Sequence, residues 1–277
     1  MKKTNIVFFG SGPYGNIALK RLIERGLIVD VVVTKSDAPA GRGQNLKENE
    51  VATTAQASKI KTLKPEKLDG EFIQNLAKDN PDLFLVVSYG KILPKEVLDI
   101  PSFGTINIHP SLLPKYRGTS PLESPFLNND LVTGVTLMIL DEEMDHGPIL
   151  IQDEFEIHPD MRKIDLGVIL FEHGVDLFVD NLESILNGDI KPIEQNHDLA
   201  TFTKKIKKED GELDLLKNKE SWNKYRAYFG YPGVYFFDQS ENQNRKRFKV
   251  TSAEFIDGKF IIKKVIPEGG KEIEYKK

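Results

Sequence analysis

The chain has 277 residues, 39% of them hydrophobic and 29% charged, and it contains no cysteine. That length suits two domains better than one. The composition excludes disorder as the default, and the missing cysteines exclude a disulfide framework, a thiolate nucleophile and a Cys-ligated zinc site. The net charge of −4 is unevenly spread: Ala200 to Lys277 hold 18 Lys+Arg against 12 Asp+Glu, so a basic last part follows an acidic first part, as expected of a segment that meets a polyanion.

Taken in chain order, MKKTNIVFFG is basic at its start, but its apolar stretch ends after a few residues, which reads as a first strand and not as a signal peptide. No apolar run approaches the ~18 residues needed to span a membrane, and a cysteine-free chain suits a reducing cytoplasm, the expected location. GSGPYG then feeds YGNIALKRLIERG, whose helical spacing runs through Ile17, Leu22 and Ile23 to a stop at Gly26. LIVDVVVT, DLFLVVS, GTINIH and VTGVTLMIL follow as strands, interleaved with helical segments such as EFIQNLAKDN, and a long helix is expected from about Met161 to Leu186. Strands alternating with helices predict an α/β domain with a mostly parallel sheet over 1–189. NGDIKPIEQNHDLATFT is polar and turn-rich, so 190–204 reads as a linker. After SWNKYRAYF, a short helix, the β-like runs GVYFFD, KRFKVTSAEFI and KFIIKKVIP predict a compact β domain over 205–277, read as a small barrel.

Four stretches carry candidate chemistry. GSGPYG sets Gly10, Gly12 and Gly15 at dinucleotide-fingerprint spacing between a strand and a helix. Against that reading, Asp30 lies at the start of the second strand where a ribose-binding acid belongs at its end, and Pro13 sits in the turn, so no NAD is expected. DAPAGRG is a loop of small residues around a single guanidinium, Arg42, flanked by Gly41 and Gly43. In INIHPSLLPKYRG, alternation puts Asn107 and His109 on one strand face just before Pro110 and Pro114 end the strand. LDEEMDHG offers Asp141, Glu142, Glu143, Asp145 and His146 after another strand. No ligand spacing supports a metal site, and none is expected; His158, His173 and His197 are scattered and read as structural or solvated. No serine-nucleophile motif accompanies His109. An amide, an imidazole and a carboxylate suit a direct transfer in which the substrate's own amine attacks, the amide stabilises an oxyanion, and the other two groups manage protons.

NIHPSLLPKYRG, followed by TSPLESPFLNNDLVTGVTLMILDEEMDHGPIL, resembles the folate-dependent formyltransferase family in its Asn-x-His signature, its SLLP-x-x-RG turn and its downstream Asp-x-Gly loop. DAPAGRG, YRAYFGYPGVYF and IIKKVIPEGGKEIEY resemble the loop and the C-terminal barrel of the branch that acts on initiator methionyl-tRNA. The resemblance implies a Rossmann-like domain followed by an OB-like barrel. It implies Asn107, His109 and Asp145 as the catalytic trio, and a 10-formyltetrahydrofolate site formed by Ser88, Tyr89, Gly90, Lys91, Ile92, Leu93, Pro94, Ser111, Leu140 and Asp141. It assigns Gly41, Arg42 and Gly43 to tRNA binding, as the basic excess does Lys204, Lys205, Lys207 and Lys208, with a monomer expected. His146 and Pro148 depart from the pattern, where the tRNA-directed members often have Thr and Asp. The same trio serves members that formylate nucleotide-linked amino sugars, which is the alternative substrate.

Overall fold

The computed structural model describes residues 4–40, 45–47, 49–237 and 245–276, which fall into two compact units. The first takes in residues up to Gly118, Gly134–Phe155 and Gly167–Phe202; the second takes in Thr119–Thr133, Glu156–Leu166 and the chain from Thr203 onward. These bounds differ from a division at 189 and 205. Two internal segments join the C-terminal part, and the stretch expected as a linker packs on the first unit as far as Phe202, bridging there at Ile193–Ile149 and Phe202–Arg117.

The first unit is built on β1 (Ile6–Gly10), α1 (Gly12–Glu24), β2 (Val31–Val33), β3 (Ala38–Ala40), β4 (Asn45–Lys47), α2 (Glu50–Ala57), β5 (Lys61–Leu63), α3 (Gly70–Ala77), β6 (Leu83–Val87), α4 (Lys95–Leu98) and β7 (Thr105–His109). After α5 (Ser124–Leu127) come β8 (Val132–Ile139), β9 (Ile149–Glu156) and α6 (Lys163–Leu186). A seven-stranded sheet runs β5-β2-β1-β6-β7-β8-β9. Its first five strands are parallel, and β8 is antiparallel to β7. Burial of every residue of β1, β2 and β6 matches their unbroken apolar runs, as parallel strands covered on both faces require.

The glycines of GSGPYG serve close packing: a Cβ on Gly15 would stand 3.0 Å from the carbonyl carbon of Gly10, so α1 starts hard against β1. Asp30 accepts a hydrogen bond from the Ile6 amide at the beginning of the sheet. α6 lies on the face that carries Ile108, where a Cβ on Gly174 would meet the Ile108 side chain. It is tied to α1 by Asp176, whose carboxylate Arg21 and Arg25 hold below its ordinary range. Strand alternation therefore sends Asn107 and His109 to the opposite face.

In the second unit α7 (Asn218–Ala227) packs on α5 and β12, and β10 (Val234–Phe237), β11 (Arg247–Ile256), β12 (Lys259–Pro267) and β13 (Ile273–Glu274) form a four-stranded sheet in that order. Each neighbouring pair in it is antiparallel. Asp257 and Gly258 both take positive φ between β11 and β12, the backbone that an Asp-Gly hairpin turn supplies. Trp222, Phe236, Val250 and Val265 form its interior. Arg226 is buried over the Phe126 and Trp222 rings and donates to the Pro159 carbonyl at 3.1 Å.

Candidate active site

β7 delivers the first two site residues. Asn107 pairs with Val86 on one side and Met138 on the other, and His109 pairs with Thr136. Asn107 is half-buried, and its amide makes no side-chain hydrogen bond among the described residues. His109 is buried at 4% exposure. Its Nε2 lies 3.1 Å from the Tyr116 carbonyl, which can only accept, so this nitrogen carries a proton when that bond is made. Its Nδ1 lies 3.6 Å from Asp145 Oδ1, inside ion-pair range and longer than a hydrogen bond.

Asp145 does not reach His109 by standing at the neighbouring strand's end. β8 is antiparallel, so its last residue, Ile139, lies beside Ile106 at the far end of β7. The loop 140–148 doubles back to bring Asp145 to the imidazole. Asp145 adopts φ +52° there, and its Oδ2 accepts from the Gly118 amide at 2.6 Å. Gly147 permits the fold-back, since a Cβ at that position would stand 2.1 Å from the Ile139 carbonyl oxygen.

Two residues that sequence reasoning passed over complete this arrangement. Gln195, 4% exposed, donates to the Asp145 carbonyl at 2.9 Å and to the Gly147 carbonyl at 2.7 Å. Arg117, 3% exposed, donates to Gln195 Oε1 from Nε at 3.1 Å and from Nη2 at 2.7 Å. Arg117 also donates to His197 Nδ1 at 2.9 Å, which fixes that ring's tautomer. His197 stacks on His146 at 4.1 Å between centroids, and His146 Nδ1 is 2.7 Å from Asp141. His197, read from sequence as structural or solvated, is thus part of a polar chain behind the loop.

The residues expected at a folate site fall into two groups. Ser88, Gly90 and Ile92 are exposed after β6, Lys91 and Pro94 are half-buried, and the amides of Gly90, Lys91 and Ile92 donate to no backbone group among the described residues. Tyr89 and Leu93 instead enter the core with Phe9 and Val97, and Leu140 packs against that same cluster, which brings the loop 140–148 to the segment 88–94. Ser111 is fully buried and shapes the turn after β7, its hydroxyl donating to the Lys115 carbonyl at 2.7 Å. Asp141 caps its own loop by accepting from the Glu143 amide. Gly41, Arg42 and Gly43 lie outside the described residues. Lys204, Lys205, Lys207 and Lys208 are exposed on the second unit. Among the described residues, no group of three or more His, Cys, Asp or Glu side chains is placed to hold a metal ion, and no helix is long and apolar enough to cross a membrane.

The Tyr89 hydroxyl is buried without a hydrogen-bond partner among the described residues, and burial pushes its phenol up to about 12. Tyr89→Phe is expected to raise stability by about 1 kcal/mol, because it removes an unpaired polar group from the core. Denaturant unfolding checks the gain.

A seven-stranded sheet that brings an amide, an imidazole and a carboxylate to one strand and its facing loop carries groups suited to direct group transfer. The sequence pattern described as formyl transferase matches residues 4–182, and the chain belongs to that family. The methionyl-tRNA formyltransferase of Thermodesulfovibrio yellowstonii is 38% identical to it over 257 residues, 92% of this chain and 82% of that protein. Among solved structures, methionyl-tRNA formyltransferase from Clostridium thermocellum superposes with a TM-score of 0.62 at 18% identity, over 98% of this chain and 100% of that one. The N-formyltransferase from Helicobacter canadensis, in complex with folinic acid and dTDP-3-aminofucose, superposes with a TM-score of 0.65 at 21% identity, over 94% and 95%. At these identities the two structures show a shared fold.

Proposed function

We propose that this protein transfers the formyl group of 10-formyltetrahydrofolate to the α-amine of methionine on initiator methionyl-tRNA, for translation initiation. The observation that carries this reading is the extent of the likeness. A 257-residue alignment to a methionyl-tRNA formyltransferase cannot fit within residues 4–182, so it takes in the C-terminal part as well. The alternative acceptor, a nucleotide-linked amino sugar, is supported by likeness of fold alone.

The formyl donor is a co-substrate that supplies an activated one-carbon unit: the amine nitrogen bonds to the formyl carbon as the bond to the folate nitrogen breaks. Asn107 donates to the oxygen on which charge develops. His109 takes the amine proton and returns one to the departing nitrogen, and Asp145 orients the ring and compensates its charge. The segment of Ser88, Gly90, Lys91 and Ile92, with Pro94, Leu140 and Asp141, would hold the donor. Free amides beside apolar side chains match a flat heteroaromatic ring with an amide edge. Tyr89, Leu93 and Ser111 would support that segment from beneath. Gly41, Arg42 and Gly43 would reach the acceptor end of the tRNA. Lys204, Lys205, Lys207 and Lys208 would contact its phosphates together with the C-terminal sheet, which we take as an OB-like barrel on a monomeric enzyme.

The test assays formyl transfer from 10-formyltetrahydrofolate to initiator methionyl-tRNA, with a nucleotide-linked 4-amino sugar in parallel. Formylation of the tRNA alone is expected, with a KM that rises with salt as phosphate contacts require. In the same assay Arg42→Ala is expected to raise the KM for tRNA and leave that for the donor unchanged. Transfer to the sugar alone would overturn the acceptor while leaving the transfer chemistry in place.

A further inference from the structure

We propose that Gln195 and Arg117 are positioning residues that set Asp145 against His109, an inference that rests on the transfer reaction proposed above. Arginine only donates, so its two hydrogen bonds require the oxygen of the Gln195 amide to face Arg117. The NH2 group of that amide must then face the loop, where it spans the carbonyls of Asp145 and Gly147. The direction of the amide is thereby dictated by chemistry. Asp145 takes a left-handed backbone there, which Asp visits only occasionally, and the two bonds from Gln195 hold that main chain in place.

The same arginine reaches the carboxylate by a second route. Gly118, its neighbour in the chain, donates to Asp145 Oδ2, which leaves Oδ1 to face His109. Asp145 is therefore held by its main chain through Gln195 and by its side chain through the Arg117–Gly118 turn. Gln195 Oε1 takes two of the hydrogen bonds from the buried guanidinium and His197 Nδ1 one, so losing Gln195 removes the partner that fixes it most closely. Holding both ends fixes the orientation of the carboxylate.

Gln195→Glu separates the two duties. A carboxylate still accepts from Arg117, but its other oxygen cannot donate to the loop carbonyls, so the thermal midpoint is measured beside the rate and kinetics are read below it. We expect kcat to fall about 10- to 100-fold, the range for a misplaced catalytic group, with KM for methionyl-tRNA within about twofold. In an Asp145→Ala background the same change should cost less than about twofold more, because a residue acting through Asp145 has nothing left to position. Gly118 amide exchange, followed by NMR, should quicken about tenfold or more in Gln195→Glu. A single variant with kcat within twofold of the parent, or a full further loss on top of Asp145→Ala, would overturn the proposal. Should the parent protein transfer no formyl group, the functional reading fails, and Gly118 exchange alone decides whether Gln195 holds Asp145: unchanged exchange overturns the clamp.

Discussion

Asn107→Ala lowers kcat for formyl transfer by about 10²–10³, equivalent to roughly 3–4 kcal/mol, the usual cost of removing one donor to a developing oxyanion. The effect on folding is small, within about 1 kcal/mol, and the reason lies in the strand. Asn107 is half-buried in β7, and its amide has no hydrogen-bond partner among the described residues, so truncation orphans none of them. The backbone pairing with Val86 and Met138 is unaffected by the side chain. A polar amide on an interior strand, unpaired and facing away from α6, is costly unless something else uses it. Asn107→Asp sharpens the case: it keeps the shape and places a negative charge where the oxyanion forms, so its loss is expected to be at least as large. Steady-state kcat and the thermal midpoint, measured together on both variants, decide the matter. A folded Asn107→Ala enzyme with unchanged kcat would remove the amide from the chemistry.

The sheet was legible where burial is uniform. IVFFG, VVV and LFLVV need no context to read as covered strands, and the alternation of TINIH correctly pairs Asn107 with His109 on one face. β9 was missed because ILIQDEFE is an edge strand with half its residues exposed, which leaves no strong period. The direction of β8 was illegible for another reason: a strand's sequence does not state its polarity relative to its neighbours, so the return of loop 140–148 to His109 follows only from the structure. The last strands and α7 of the second unit could be read from their turns and aromatic spacing. The recruitment of Thr119–Thr133 and Glu156–Leu166 into that unit could not, because it is decided by contacts distant in the chain, such as that of Arg226 with the Pro159 carbonyl 67 positions earlier.

The site was half visible. Residue type and spacing pointed to Asn107 and His109; among five candidate groups in LDEEMDHG, Asp145 was singled out by family likeness. Gln195 was hidden by its surroundings. A polar, turn-rich stretch looks the same whether its side chains meet water or a buried arginine, and only Arg117, 78 positions earlier, tells the two apart. Arg117 stood within the SLLP-x-x-RG turn, a likeness that gave it no partner. Polar residues that satisfy one another in the interior carry no periodic signal, which is why a hydrogen-bonded network of this kind is read last.

His109→Ala should lower kcat by about 10²–10⁴, the range for loss of a general acid–base, and should do so chiefly in kcat and not in KM. The ring sits between two oxygens, with Nε2 bonded to the Tyr116 carbonyl and Nδ1 looser against Asp145. The Nδ1 side, at 3.6 Å, is where a proton can be exchanged without breaking the bond that holds the ring. Truncation also removes the ring that faces the largely buried Asp145 carboxylate and the donor to the Tyr116 carbonyl, so a stability loss of about 1–3 kcal/mol accompanies the rate loss and must be measured beside it. The decisive comparison is the pair. Asp145→Ala alone should cost a large fraction of what His109→Ala costs, while the double variant should be scarcely worse than His109→Ala, since groups that work as a unit are lost as a unit. If the two losses instead multiply, Asp145 acts on the substrate directly. In that case the carboxylate would have to turn one oxygen away from the imidazole while Gly118 keeps the other.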